Sequence, residues 1–125
     1  MGSFETPLRL EYLDGRTWRV LEGFRFRPTD GDLIVVPAEF ITDFASVPRF
    51  FWRIFPPTGE YGKAAVIHDY LYQFPGDRDR GGCDQVFLDG MECLGVGWWT
   101  RQTMHKAVRL GGWKPWNRYR AVEPS

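Results

Sequence analysis

The fold is decided by residues 66–72, which read Val66-Ile67-His68-Asp69-Tyr70-Leu71-Tyr72 and lie within a longer segment, 61–74. Apolar residues recur in that segment at a spacing that favours a helix, and Pro75-Gly76 ends it. A second apolar stripe predicts another helix at residues 83–94. Because only a short charged loop separates the two helices, we expect them to pair antiparallel as an αα-hairpin.

The first third of the chain has the pattern of β-strands. Apolar and polar residues alternate from residue 8, Asp14-Gly15 is a hairpin turn signal, and extended runs continue to residue 42. An antiparallel sheet with short connections fits this part. The sequence therefore predicts an α+β fold with strands first and a three-helix C-terminal half after them, in one domain spanning residues 1–125. Helices are expected at 47–55, 61–74, 83–94 and 98–110, followed by an irregular tail.

The bulk composition is that of a soluble globular protein. Of the 125 residues 43% are hydrophobic and 26% are charged, which is enough for a single core. Basic and acidic residues balance at 16 each, so no overall field attracts nucleic acid and no such partner is expected. The N-terminus lacks the basic and apolar regions of a secretory signal peptide.

The two cysteines are expected to be free thiols. Cys83 and Cys93 are ten residues apart on one predicted helix, which separates them by about 15 Å, beyond disulfide reach. Free thiols favour folding in a reducing compartment.

Charge is uneven near the C-terminus, where residues 95–122 contain six cations and no acid. Two interpretations remain open. The cations are a solvated helix face and tail, or they contact an anionic partner or membrane surface. The tryptophans of this region are read as core and capping aromatics, or as a docking patch.

His68, Tyr72 and Asp84 form a candidate polar cluster inside the predicted hairpin. His68 and Tyr72 share a helix face because they are four residues apart, and Asp84 lies near the start of the returning helix. At about 1.5 Å per residue, the three come within roughly one turn of the same level. We therefore take His68, Asp84 and Tyr72 as candidate catalytic residues. Asp69 points about 100° away from His68 and must serve another purpose.

The cluster has two interpretations. In the catalytic one, Asp84 fixes the tautomer of His68, whose other nitrogen activates water, while Asp69 and backbone oxygens hold Ca²⁺. In the structural one, His68, Tyr72 and Asp84 are a buried hydrogen-bond network that locks the hairpin, and Asp69 is a solvent-facing acid.

Asp43 and Ser46 precede the helical half. The simplest interpretation is a turn in which Ser46 caps the helix predicted at 47–55. Alternatively, Asp43 faces the His68 cluster as a further metal ligand or orienting group. Ser46 lacks a Gly-x-Ser-x-Gly context, so it is not predicted to be a nucleophile.

Four motifs occur in order along the chain: Thr42-Asp43-Phe44-Ala45-Ser46-Val47-Pro48, Tyr61-Gly62-Lys63-Ala64-Ala65, His68-Asp69-Tyr70-Leu71-Tyr72 and Asp84-Gln85-Val86-Phe87. Together they resemble a family of small phage- and prophage-encoded proteins catalogued as domain of unknown function thirteen fifty-three. The likeness extends from about Pro7 to Trp116. It implies a viral or prophage origin and brings no settled activity.

The His-Asp-x-x-Tyr motif with a later Asp-x-x-Phe is also similar to the core of secreted and parvoviral phospholipases A2. That resemblance implies that His68 is the general base, Asp69 binds Ca²⁺, Asp84 orients His68 and Tyr72 supports Asp84. Residues 56–62 match the glycine-rich calcium loop of that family only loosely.

Two functions follow as expectations. The first is a virion-associated structural or accessory protein of a phage tail or baseplate, with other phage proteins as partners, located in the virion or the host cytoplasm. The second is a Ca²⁺-dependent hydrolase that acts on a lipid or cell-envelope ester, with His68 as base. An anionic membrane or envelope surface is a partner compatible with both.

Overall fold

The strands form two small antiparallel sheets in a computed structural model that describes residues 2–15, 17–29, 31–44, 46–47 and 62–121. One sheet has the order β1-β4-β5 and the other β2-β3-β6. The strands are β1 (Ser3–Phe4), β2 (Leu10–Asp14), β3 (Thr17–Val20), β4 (Phe24–Arg27), β5 (Ile34–Val36) and β6 (Ile41–Thr42). Antiparallel pairing is confirmed, but the strands divide between two sheets.

Strand β4 shows why this half folds as a sheet. Phe24 and Phe26 are fully buried while Arg25 and Arg27 are exposed, the alternation expected of a strand with one face on the core. Its partners are antiparallel on both sides, with Phe26 opposite Phe4 of β1 and Ile34 of β5. The apolar face of this sheet packs toward the helical half through Phe4, whose ring would lie 3.5 Å from a Cβ added at Gly90.

Four helices follow: α1 (Gly62–Gln73), α2 (Arg80–Cys93), α3 (Trp98–Gly111) and α4 (Trp113–Ala121). α1 packs chiefly against α2, and α2 against α3. The α+β class and the α1–α2 hairpin are therefore confirmed. The helix predicted at 47–55 lies outside the described residues apart from Val47.

The three predicted C-terminal helices are present, but the segment after them, predicted as an irregular tail, forms the further helix α4. α4 begins directly after Gly111-Gly112 and carries Pro115 in its first turn, where a proline without N–H does no harm. Arg120 donates to the carbonyls of Tyr72 (2.6 Å) and Gln73 (3.1 Å) at the end of α1. The Arg120 side chain thereby satisfies the last carbonyl groups of α1 and holds α4 against that helix.

Helix α2 begins three residues earlier than the sequence predicts. Asp79 accepts a hydrogen bond from the Gly82 amide at 2.7 Å and acts as the N-cap, which turns part of the expected charged loop into the first helical turn. Cys83 and Cys93 are free as predicted. Among the described residues, no helix combines the length and apolarity needed to cross a bilayer.

Candidate functional site

The His68 ring and the Asp84 carboxylate meet in the α1–α2 hairpin. Nε2 of His68 lies 2.6 Å from Oδ1 of Asp84, and both residues are fully buried. The ring packs at a tilt against the rings of Tyr72 and Phe87, with centroid distances of 4.2 and 4.7 Å. The contact predicted from the spacing of the two helices is therefore present.

Asp84 accepts hydrogen bonds on both oxygens. The Tyr72 hydroxyl donates to Oδ1 at 2.6 Å, while Arg109 and Arg80 donate to Oδ2 at 2.8 and 3.5 Å. Arg109 and Arg80 reach the carboxylate from α3 and α2, so three helices converge on one acid. A buried carboxylate needs this number of donors to remain ionised.

The ionisation states of the pair follow from burial and from these partners. Burial lowers the pKa of His68 and outweighs the opposing hydrogen bond and charge of Asp84. Burial alone would raise the pKa of Asp84, but hydrogen bonds from His68, Tyr72 and Arg109 lower it. At neutral pH the pair is therefore a neutral imidazole and a carboxylate. Because the carboxylate can only accept, the imidazole proton lies on Nε2.

The second ring nitrogen faces Ser46. Nδ1 of His68 lies 3.0 Å from the Ser46 hydroxyl oxygen. With the proton on Nε2, Nδ1 is an acceptor, so the hydroxyl donates to it. Ser46, His68 and Asp84 thus form one continuous hydrogen-bonded chain. The contact between Ser46 and His68 was not predicted from the sequence, because it depends on how the chain after β6 packs against α1.

The turn that delivers Ser46 is held in an uncommon backbone conformation. Phe44 is buried with φ at 57°, the left-handed region that a bulky side chain rarely occupies. The Phe44 amide donates to the Thr42 hydroxyl at 3.1 Å, which helps to hold the turn. Backbone strain of this kind costs on the order of 1–3 kcal/mol and is common at functional sites.

Asp69 forms a second buried network on a different side of α1. It accepts hydrogen bonds from Thr42 at 2.6 Å, Tyr119 at 3.2 Å and Gln73 at 3.4 Å. Burial raises its pKa to about 6, the hydrogen bond from Thr42 opposes the rise, and the nearby charge of Asp43 adds to it. The solvent-facing Asp69 of the structural interpretation is therefore wrong, since this side chain is fully buried.

The Asp69 carboxylate is already engaged by donors of the protein. Its oxygens already accept hydrogen bonds from Thr42, Tyr119 and Gln73, and a Ca²⁺ ion would need six to eight oxygen ligands. Within the described part of the chain, no three His, Cys, Asp or Glu side chains are grouped to hold a metal. The roles of Asp69 and Asp43 as metal ligands stay predictions.

Comparison with known proteins identifies the family. A family model described as "Protein of unknown function (DUF1353)" matches residues 18–108, well over half of the chain. The chain belongs to this family. The resemblance read from the motifs is therefore confirmed at the level of an uncharacterised family.

One relative of this DUF1353 chain is an uncharacterized protein of Sinorhizobium fredii, y4jT. The two are 36% identical over 116 residues, which cover 89% of this chain and 34% of the relative. The chain therefore spans about a third of the relative's length. No solved structure matches the chain significantly.

The motifs that carry the DUF1353 resemblance converge in space. The Thr42–Ser46 turn supplies a partner to each acid–base residue of α1: Thr42 to Asp69, and Ser46 to His68. Asp84 of α2 completes the His68 chain. Several partners were missed from the sequence, among them Ser46, Arg80, Arg109 and Tyr119. Arg109 lies on α3 and Tyr119 on α4. The sequence of these helices does not indicate that either side chain binds a buried acid of the α1–α2 hairpin.

Replacing Asp69 with Asn should remove a pH-dependent loss of stability. The unfolded acid titrates near pH 3.8 and the folded one near 6, so the folded state holds the proton more tightly and wild-type stability falls as pH rises across that window. Asp69→Asn lacks this titration. Relative to wild type it should gain about 2–3 kcal/mol between about pH 4 and pH 7, measured by urea denaturation.

His68 is present in both proteins, so its own titration cancels in this difference. The exposed Asp77 provides a control for the substitution itself, since Asp77→Asn should change the free energy of unfolding at pH 7 by less than about 0.5 kcal/mol. A wild-type minus Asp69→Asn difference that is flat from about pH 4 to pH 7 would show that Asp69 ionises normally.

Proposed function

We propose that this chain is a hydrolase domain that cleaves carboxylic esters through Ser46, His68 and Asp84. One observation carries the proposal: the Ser46 hydroxyl, the two nitrogens of His68 and the Asp84 carboxylate are joined at 3.0 and 2.6 Å. This is the order of groups in serine hydrolases of unrelated folds. Here the serine faces Nδ1 and the acid Nε2, the reverse of the usual use of the two nitrogens.

The first chemical step would acylate Ser46. The hydroxyl oxygen attacks the ester carbonyl carbon while its proton passes to Nδ1 of His68, which becomes an imidazolium. The tetrahedral intermediate then collapses and the bond to the alcohol breaks. The departing alkoxide takes the proton from Nδ1, which leaves an acyl-serine and a neutral imidazole.

The second step would regenerate Ser46 with water as the co-reactant. Nδ1 accepts a proton from water as the water oxygen bonds to the acyl carbon. The bond between the acyl carbon and the Ser46 oxygen then breaks, and that oxygen recovers the proton from Nδ1. A carboxylic acid is released.

Asp84 would stabilise the imidazolium that forms in each step. The donors Tyr72, Arg109 and Arg80 keep its pKa low, so it stays ionised and fixes the ring instead of taking the proton. Since Ser46 is almost fully buried, the proposal requires that substrate gains access to its hydroxyl.

The phospholipase A2 resemblance suggests a related mechanism, in which Nδ1 of His68 activates water directly. Ser46 occupies the position that such a water would take. The calcium dependence implied by that resemblance is not part of the proposal, because the Asp69 oxygens already accept hydrogen bonds.

Activity measurements on single variants test the proposal. Wild type is expected to hydrolyse p-nitrophenyl esters of at least one chain length and to bind a fluorophosphonate probe covalently at Ser46, read by mass spectrometry. His68→Ala should lower kcat/KM by about 10³-fold, and Ser46→Ala should abolish labelling and turnover. Ser3→Ala, an exposed serine on β1, should behave as wild type.

Each other outcome has a defined meaning. Hydrolysis that survives Ser46→Ala but is lost in His68→Ala would replace the serine with water as nucleophile. Absence of both hydrolysis and labelling in folded wild-type protein would overturn the enzymatic proposal.

A second candidate is a structural or accessory protein encoded by a phage, associated with a tail or baseplate and present in virions or in the host cytoplasm. It is favoured by the complete burial of His68, Asp69 and Asp84, because a sealed network stabilises a fold without needing access. Its other partners would be phage proteins. Mass spectrometry of purified particles from a host that carries the gene should find the chain, and repeated absence from them would remove the virion assignment.

A further inference from the structure

The solvent-exposed face of α3 carries large apolar side chains. Trp99 is 80% exposed, Leu110 73% and Trp98 53%, and with Lys106 and Arg109 they line a surface depression of about 520 Å³. These five residues are called the tryptophan face. The opposite side of α3 is fully buried through Met104 and Val108. The helix therefore packs one stripe on the core and presents a second apolar stripe outward.

The charged residues of α3 and α4 are all cations. From residue 95 to residue 122 the sequence has six cations and no acid. Three of the cations have internal roles: Arg101 donates to the Val96 carbonyl, Arg109 to Asp84, and Arg120 to the end of α1. Lys106, Lys114 and Arg118 are exposed.

The start of α4 extends the same chemistry. Trp113 is 50% exposed, and the Lys114 ammonium lies 5.5 Å from the centre of its ring. Exposed tryptophans interleaved with lysines match the water–lipid boundary, where the ring enters the headgroup layer and the ammonium meets the phosphates.

We propose that the tryptophan face docks on the surface of an anionic phospholipid bilayer. Trp98, Trp99 and Leu110 would enter the headgroup layer, and Lys106 would pair with lipid phosphates. The cations would suit either polyanion, but the exposed apolar side chains favour lipid over nucleic acid, because indole and leucine side chains gain from entering the headgroup layer. Binding is independent of the catalytic proposal and is measured without turnover.

Sedimentation with lipid vesicles tests this proposal. The full chain is expected to sediment with vesicles of phosphatidylcholine mixed with phosphatidylglycerol, more weakly with phosphatidylcholine alone, and less as salt rises. Lys106→Glu removes one cation and adds one anion, which should weaken binding by about tenfold or more. Trp99→Ser should weaken it by a similar factor.

Two matched substitutions separate the surface from general effects. Tyr12→Ser removes another aromatic that is 55% exposed, on β2, and Arg9→Glu reverses an exposed cation elsewhere. Both should bind vesicles as wild type does. The proposal is overturned if wild type does not sediment with anionic vesicles, if Lys106→Glu and Trp99→Ser bind as tightly as the controls, or if the protein binds double-stranded DNA and no vesicles.

Discussion

Asp84→Ala is expected to lower the free energy of unfolding by about 4–5 kcal/mol at neutral pH, the largest loss for any single polar side chain described here. Asp84 is the shared acceptor of His68, Tyr72, Arg109 and Arg80. Removing it leaves the fully buried Tyr72 hydroxyl and His68 Nε2 without their acceptor, and each buried orphan costs about 1–3 kcal/mol. Urea denaturation followed by circular dichroism measures the loss.

A double-mutant cycle shows whether the orphaned groups cause this loss. Tyr72→Phe removes one of them, so the Asp84→Ala, Tyr72→Phe protein should lose less stability than the sum of the two single variants. Asp77→Ala, at an exposed acid seven residues earlier, should change stability by less than about 0.5 kcal/mol. Additive losses in the cycle would mean that Asp84 acts on the fold by another route.

Gly112→Ala is expected to lower the free energy of unfolding by about 3–4 kcal/mol because a methyl group has no space at this position. A Cβ there would overlap the Tyr72 hydroxyl and the Val108 carbonyl, and it would lie 3.0 Å from Nη1 of Arg80. Overpacking costs about 1–3 kcal/mol, and displacing Tyr72 also weakens its bond to Asp84. Gly112 has φ at −71°, so space and not backbone conformation demands the glycine.

The neighbouring glycine provides a matched control for this prediction. A Cβ added at Gly111, the last residue of α3, meets nothing within 4 Å. Gly111→Ala should therefore be neutral or stabilise the protein by up to about 1 kcal/mol through helix propensity. Equal effects of the two substitutions in urea denaturation would contradict the proposed crowding between Gly112 and Tyr72.

The fold could be predicted from the sequence where local patterns dominate. The apolar spacing of residues 61–74 and 83–94 predicted α1 and α2, and the short loop between them predicted their antiparallel pairing. α4 was missed because its stabilising contacts are tertiary: Arg120 with α1 carbonyls, and the Trp116 ring against Tyr72 at 5.2 Å. Pro115, three residues after the second glycine of Gly111-Gly112, was a local signal of a helix start.

The candidate site likewise contains residues that local geometry predicts and residues that depend on tertiary contacts. His68, Tyr72 and Asp84 could be placed together because helix geometry fixes their level and face. Ser46 could not, since its contact with His68 depends on the left-handed Phe44 and on the docking of the turn after β6. Asp69 was correctly predicted to point away from the His68–Asp84 contact. Its burial against Thr42 and Tyr119 depends on β6 and α4, which no spacing within α1 reveals.

The buried polar cluster distinguishes this core from an ordinary one. Thr42, Ser46, His68, Asp69 and Asp84 are all at most 1% exposed. Apolar residues of similar volume would stabilise the same position at least as well. A neutral imidazole between a carboxylate and a hydroxyl is the arrangement that the hydrolase proposal requires.

The protonation of the His68 ring tests the central claim most directly. Nitrogen-15 NMR of the labelled protein distinguishes the two ring nitrogens, and a His105→Gln variant removes the signal of the second histidine. We expect a neutral His68 at pH 7, with its proton on Nε2 toward Asp84 and a bare Nδ1 toward Ser46. A proton on Nδ1, or an imidazolium at neutral pH, would contradict that claim.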